Sequence, residues 1–196
     1  MSNLSAQMTP DAVCFCSIGA IECLSKNVDS WQQRGALKDA VPIGSSIISF
    51  NDSHTHAEVM GVWNKAIATA EANAVVLNLE MAKEKIALKN SWTKGGYATD
   101  IEGNAVDTTD ASAACFCAFG AIEVVTAKPH QMIATRQISE EPEYKFLNEA
   151  TIAVYSDYDF EAYGESAAGY NDAPTTTHAD ILALFDAAIV LAKAAV

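Results

Sequence analysis

Two cysteine pairs and a histidine are the residues of this chain whose types and spacing come nearest to covalent or metal chemistry. Cys14 and Cys16 open the block CFCSIGAIE, Cys115 and Cys117 open CFCAFGAIE, and the two blocks agree at seven of nine positions. A thiolate at a helix start is stabilised by the helix dipole and attacks well beside a histidine. Cys115 or Cys117 with His178 as base, oriented by Asp172, is therefore one reading, that of a cysteine-dependent enzyme, a hydrolase or transferase. Against it, cysteine on a packing face is usually a small buried hydrophobe. His56 and His178 also both lie in Thr-His-Ala-acid tetrapeptides, where local structure accounts for them.

The same four thiols, Cys14, Cys16, Cys115 and Cys117, could make a zinc set. Paired zinc ligands more often have two to four residues between them, not one, and helix positions two apart diverge by about 200°, so both sulfurs of a pair would hardly face one ion. The run Asp157-x-Asp159-x-Glu161 resembles the start of a calcium loop, without the glycine at the sixth position or the glutamate at the twelfth. No metal and no cofactor is expected.

The remaining chemistry-bearing residues are aromatic and acidic. Trp92 and Tyr97, with Asp157, Tyr158, Asp159, Glu161, Tyr163 and Tyr170, could form a contact surface continued by Asn171 and Asp172. Tyrosines supply contact area at little entropic cost, and interleaved carboxylates select a basic partner. Trp92, Tyr97, Asn171 and Asp172 could instead line a small-molecule pocket. Asn171-Asp172 read alone is a turn.

The elements that must position these residues read as mainly α, with one or two small β-hairpins. A helix is expected over 14–26, with Cys14, Ile18, Ile21 and Leu24 on one stripe, and a second over 30–39 despite Gly35. A short β-like run is expected over 46–50, ending in a turn at Asn51-Asp52. Thr55 and Glu58 are spaced as a capping box, so a helix starts there and runs through Trp63 and Ile67, with a break expected at Asn73 before a further helix to Asn90. Trp92 and Gly95-Gly96 read as a helix-ending turn, residues 101–106 as a hairpin turning at Gly103-Asn104, and Cys115 as the start of a helix capped by Thr108, Thr109 or Asp110. Further helices are expected over 143–154 and from a second capped start at Thr177.

Beyond the cysteine blocks, Phe50-Asn51-Asp52 is echoed by Tyr170-Asn171-Asp172, and Thr55-His56-Ala57-Glu58 by Thr177-His178-Ala179-Asp180. Three matching blocks in one order imply a tandem duplication with a period near a hundred residues, too long for a solenoid repeat. The expectation is two related helical domains, a partial first copy over 1–75 and a complete second copy over 76–196.

Charge separates the halves. Residues 1–98 carry nine acids and eight bases, whereas 99–196 carry sixteen acids and four bases. That field disfavours direct contact with nucleic acid or an anionic membrane, since phosphates are gripped by Lys and Arg. Half the residues are apolar, a globular composition, and no run approaches the length of a membrane span. Five cysteines without an apolar leader after Met1 argue for a reducing cytoplasm.

Trp92-Thr-x-Gly, Tyr97-Ala-x-Asp, Gly103-Asn-x-Val-Asp, Cys115-x-Cys-x-x-Gly-Ala and the aromatic-Asn-Asp step before a threonine-capped helix together resemble a small domain of unknown function found in bacteria and phages. Residues 76–196 match throughout and 9–74 only in the later part. The resemblance implies a phage or host setting and brings no activity with it. The sequence thus points to a non-catalytic binding protein that engages a protein partner, with its oligomeric state left open.

Overall fold

Helix starts dictate most of the architecture seen in the computed structural model, which describes residue 17 and residues 30–127, 141–154 and 166–195. Seven α-helices and a three-stranded antiparallel sheet lie among these residues. In chain order they are α1 (Ser30–Ala40), α2 (Ile47–Ser53), α3 (His56–Lys85), a 3-10 turn (Lys89–Ser91), β1 (Ala98–Thr99), β2 (Ala105–Val106), β3 (Cys115–Phe116), α4 (Ala118–Thr126), α5 (Pro142–Val154), α6 (Ala167–Asp172) and α7 (His178–Ala194). The chain forms two compact units, residues 1–71 and 72–196.

The two threonine caps act as the sequence predicts. Thr55 N–H donates to Glu58 Oε2 at 2.8 Å, and Glu58 N–H donates back to Thr55 Oγ1. Thr177 and Asp180 form the same box at α7. Each satisfies amides that a helix start otherwise leaves bare.

Four local expectations are overturned. Residues 46–50 form no strand: Ser46 Oγ accepts from Ser49 N–H at 3.0 Å and starts α2, which buries Phe50. Asn51-Asp52 and Asn171-Asp172 therefore close short helices instead of forming free turns. Asn73 does not interrupt α3, because mid-helix asparagine costs only about 0.5 kcal/mol and packing repays it. Cys115 lies in β3 and not in a helix, since β3 pairs with β1 (Ala98 opposite Phe116, Thr99 opposite Cys115) and α4 begins only at Ala118. The expected helix over 14–26 lies outside the described residues apart from Ser17.

In the first unit, Leu37 and Ala66 form a small core, with Ile47, Val62 and Trp63 packed against it. The second unit has a larger one. Leu79 and Ala82 of α3, Ile86 just after it, Ile122 of α4, Leu147 of α5 and Leu184, Phe185 and Ala188 of α7 are completely buried there. The α5–α7 pair is its most extensive helix contact. The hairpin β1–β2 turns through Gly103, whose φ of +87° suits glycine, and Asp100 ties it by accepting from Asn104 N–H and Nδ2. No described helix is long and apolar enough to cross a membrane.

Candidate functional site

Asn171 is the hub of the second unit's polar constellation. It sits at the end of α6, only 1% exposed, and its amide is fully used. Oδ1 accepts from Trp92 Nε1 at 2.8 Å and from the Ala118 N–H at 3.2 Å, the latter being the first amide of α4. Nδ2 donates to Thr93 O at 3.2 Å and to Asp172 Oδ1 at 2.8 Å. A buried amide with both donors and its acceptor engaged costs nothing in lost solvation, whereas losing any partner leaves a bare polar group.

The segment that the asparagine grips is the Trp-Thr-x-Gly motif. Gly95 N–H donates to Asp172 Oδ1 at 2.9 Å, with Gly95 at φ +77°. Lys94 Nζ donates to Ala173 O and Thr176 O, both at 2.6 Å, and lies 5.3 Å from the Trp92 ring. Thr93 N–H reaches Phe116 O, and Cys117 N–H reaches Tyr97 O, each at 3.1 Å. Residues 92–97 are thus stitched on one side to β3 and the start of α4, and on the other to the α6–α7 connection. Gly120 explains the glycine of Cys-x-Cys-x-x-Gly: a Cβ there would lie 1.9 Å from Tyr97 O, so only hydrogen fits.

The proposed nucleophile does not fit its chemical role. Cys117 is the N-cap of α4, and its sulfur accepts from Gly120 N–H at 3.3 Å. Burial pushes its thiol up to about 11, and the Asp172 and Glu123 charges add to the rise. A reactive thiol shows the opposite shift. Cys115 is half-buried and its Sγ donates to Asn90 O at 3.1 Å. His178 Nε2 lies 2.7 Å from Ile86 O; a carbonyl can only accept, so Nε2 carries the proton there. Its ring also tilts against Trp92, with centroids 5.6 Å apart.

Beneath Tyr97 lies a buried carboxylate. Glu123 is 1% exposed, and its charge is among the causes that raise the Tyr97 and Tyr144 phenols, desolvation being the larger cause for both. Glu143, also buried, accepts from Asn78 Nδ2 at 2.6 Å. No group of three or more His, Cys, Asp or Glu among the described residues is arranged to hold a metal ion. Cys14 and Cys16, and with them the four-thiol set, lie outside the described residues.

Of the sequence-predicted binding residues, Trp92, Asn171 and Asp172 are brought together, and Tyr97 joins them through its carbonyl. Trp92 and Tyr97 are half-buried, Asp172 is exposed, and Tyr170 and Asn171 are buried. Asp157, Tyr158, Asp159, Glu161 and Tyr163 lie outside the described residues. Sequence reasoning missed Lys94, which the motif hides at its variable position, and Glu123. The signal for Glu123 was the shared final residue of the two cysteine blocks, an acid in an otherwise apolar helix.

A family model described as a family of unknown function (DUF6197) matches residues 71–191. The chain belongs to this family. The match takes in the whole asparagine clasp, from Trp92 to His178, so the clasp is a feature of the DUF6197 region of the chain. No curated protein and no solved structure matches the chain.

Proposed function

We propose that this DUF6197 chain is a non-catalytic binding protein that uses an acidic, aromatic-rich surface of its second copy to engage a basic protein partner in the cytoplasm, in a phage or host setting. The observation that carries the reading is a division of labour within the second unit. Its reactive-looking groups are bonded to one another: Trp92 and Ala118 donate to Asn171, Gly95 to Asp172, and His178 to Ile86. Beyond residue 98 its surface charge is one-sided. Glu102, Asp110, Glu149, Asp172 and Asp186 are exposed, and the described bases after residue 98, Lys145 and Lys193, each lie against a carboxylate. Such a field speeds encounter with a basic surface and loses strength as salt screens it.

The tandem organisation belongs to the same proposal: residues 1–75 as a partial copy and 76–196 as the complete, site-bearing one. The Asn51 and Asn171 side chains support it, since each accepts from the backbone N–H that follows its own Cys-x-Cys pair, Ser17 at 3.3 Å and Ala118 at 3.2 Å.

The test is affinity capture from the native host with the parent chain and with Asp157, Asp159 and Glu161 reversed to lysine. A stoichiometric basic protein, lost on charge reversal and weakened by added salt, is expected. Capture that survives reversal at both low and high salt would remove this surface from the account.

A further inference from the structure

We infer that the first unit carries a binding site of its own, an unfilled clasp for a short segment of a partner protein in which a large apolar residue is followed, three residues on, by glycine. The occupant is identified by the second unit, which holds such a segment of its own chain, and the inference rests on the tandem copies proposed above.

The two units share the frame of the clasp. Ser46 caps α2 by accepting from Ser49 N–H, as Ser166 caps α6 by accepting from Gly169 N–H, and each short helix contains the aromatic-Asn-Asp step. Val59, Val62 and Trp63 follow Thr55 at the intervals at which Ile181, Leu184 and Phe185 follow Thr177. The cover differs. Ile181, Leu184, Phe185 and Ala118 are fully buried, in a core on which Trp92 also packs. Val59, Val62 and Trp63 are half-buried, and with Ser17, Leu37 and Phe50 they line an open cleft with about 170 Å³ of empty space, its mouth included.

Two polar groups beside the cleft lack what their counterparts hold. In the second unit, Asn171 Nδ2 donates to Thr93 O, and Gly95 N–H donates to Asp172. In the first, among the described residues, Asn51 Nδ2 reaches just Asp52, at 3.4 Å, and exposed Asp52 receives no backbone N–H. An apolar side chain, a carbonyl and an amide, in the order of Trp92, Thr93 and Gly95, complete the set. Main-chain bonds of this kind supply affinity and the cleft supplies choice of side chain. Asn51 Oδ1 is already taken by Ser17 N–H and Oγ, and the Trp63 indole by that hydroxyl. The leading residue therefore finds no acceptor for an N–H, so phenylalanine, leucine or methionine suits the cleft better than tryptophan. Glycine belongs at the third position after it, where Gly95 adopts φ +77°.

NMR titration of the isotope-labelled full chain with two synthetic peptides tests this: SWTKGGYA, which is residues 91–98, and its Trp92→Phe form. The Phe peptide should shift the Asn51 side-chain amide and the Trp63 indole N–H saturably, and bind about fivefold tighter than the Trp peptide, whose indole N–H goes unpaired. Asp52→Ala, at an exposed position, should weaken binding about tenfold, the worth of an amide on a carboxylate. A Phe peptide that also carries Gly95→Val should not bind. No shift at Asn51 or Trp63 with either peptide at millimolar concentration overturns the inference. So does binding that Asp52→Ala leaves unchanged, or shifts confined to the second unit. The same spectra judge the tandem copies separately through the nuclear Overhauser contact between the Asn51 side chain and the Ser17 amide. Its presence without peptide shifts overturns this inference alone, and its absence removes the copies as well.

Discussion

The two units each turn an asparagine side chain onto the backbone N–H that follows a Cys-x-Cys pair, yet they finish the device differently. In the first unit, Asn51 Oδ1 accepts from Ser17 N–H at 3.3 Å and Ser17 Oγ at 3.0 Å, and the Trp63 indole reaches that hydroxyl at 3.2 Å. In the second, Ala118 stands where the first has serine, and the Trp92 indole binds Asn171 directly at 2.8 Å. A hydroxyl thus serves as the bridge where the indole comes from α3, and it is dispensable where the Trp-Thr-x-Gly segment delivers the indole itself. The second version is also buried and gathers Thr93 and Asp172 into the same amide, whereas Asn51 is half-exposed and, among the described residues, its Nδ2 reaches just Asp52 Oδ1, at 3.4 Å. Same contact, unequal weight.

That inequality is measurable. Asn171→Ala should cost the second unit about 4 kcal/mol in urea unfolding, because it strands the Trp92 indole, the Ala118 amide and the Thr93 carbonyl in a buried place. A cost near that of an exposed site would break the comparison. Gly120→Ala should come next, at about 3 kcal/mol, since its Cβ collides with backbone and not with a side chain that could swing away. The same assay reads it.

Asn51→Ala in the first unit should cost only about 1 kcal/mol, the net worth of a hydrogen bond that water can replace. Ser17→Ala should cost a similar amount, and the two together less than their sum, because the hydroxyl and the amide belong to one chain of bonds. Additive losses would mean that Trp63, Ser17 and Asn51 do not act as a unit.

The last effect is electrostatic and appears only at high pH. Burial raises the Cys117 thiol from the ordinary value of 9.0 to about 11, so the folded state keeps a proton that the unfolded state releases. Its contribution is complete below pH 9 and is lost as pH rises toward 11. Cys117→Ser should flatten that part of the stability profile relative to the parent chain.

Much of the fold was readable from local chemistry. The capping boxes at Thr55 and Thr177, the hairpin at Gly103 and the helix from Pro142 to Val154 follow from short-range rules, and the structure contains them. What failed was governed at longer range. Nothing in Cys115-Phe116 announces a strand; it becomes one because β1 supplies a partner, and Asn171, 53 residues from Ala118, caps the helix that follows. The Asn-Asp steps looked like turns because their bonding partners lay far away in sequence. The site was legible as a set of residues, Trp92 with Asn171 and Asp172, but not as a purpose. Its chemical look came from groups that satisfy one another.

The most direct test of that conclusion is the rate at which Cys117 is alkylated at neutral pH, followed peptide by peptide by mass spectrometry over a series of urea concentrations. A structural clasp predicts labelling only through unfolding, with the same urea dependence as the global transition. Rapid labelling in the absence of urea would reveal an accessible thiolate and contradict the account.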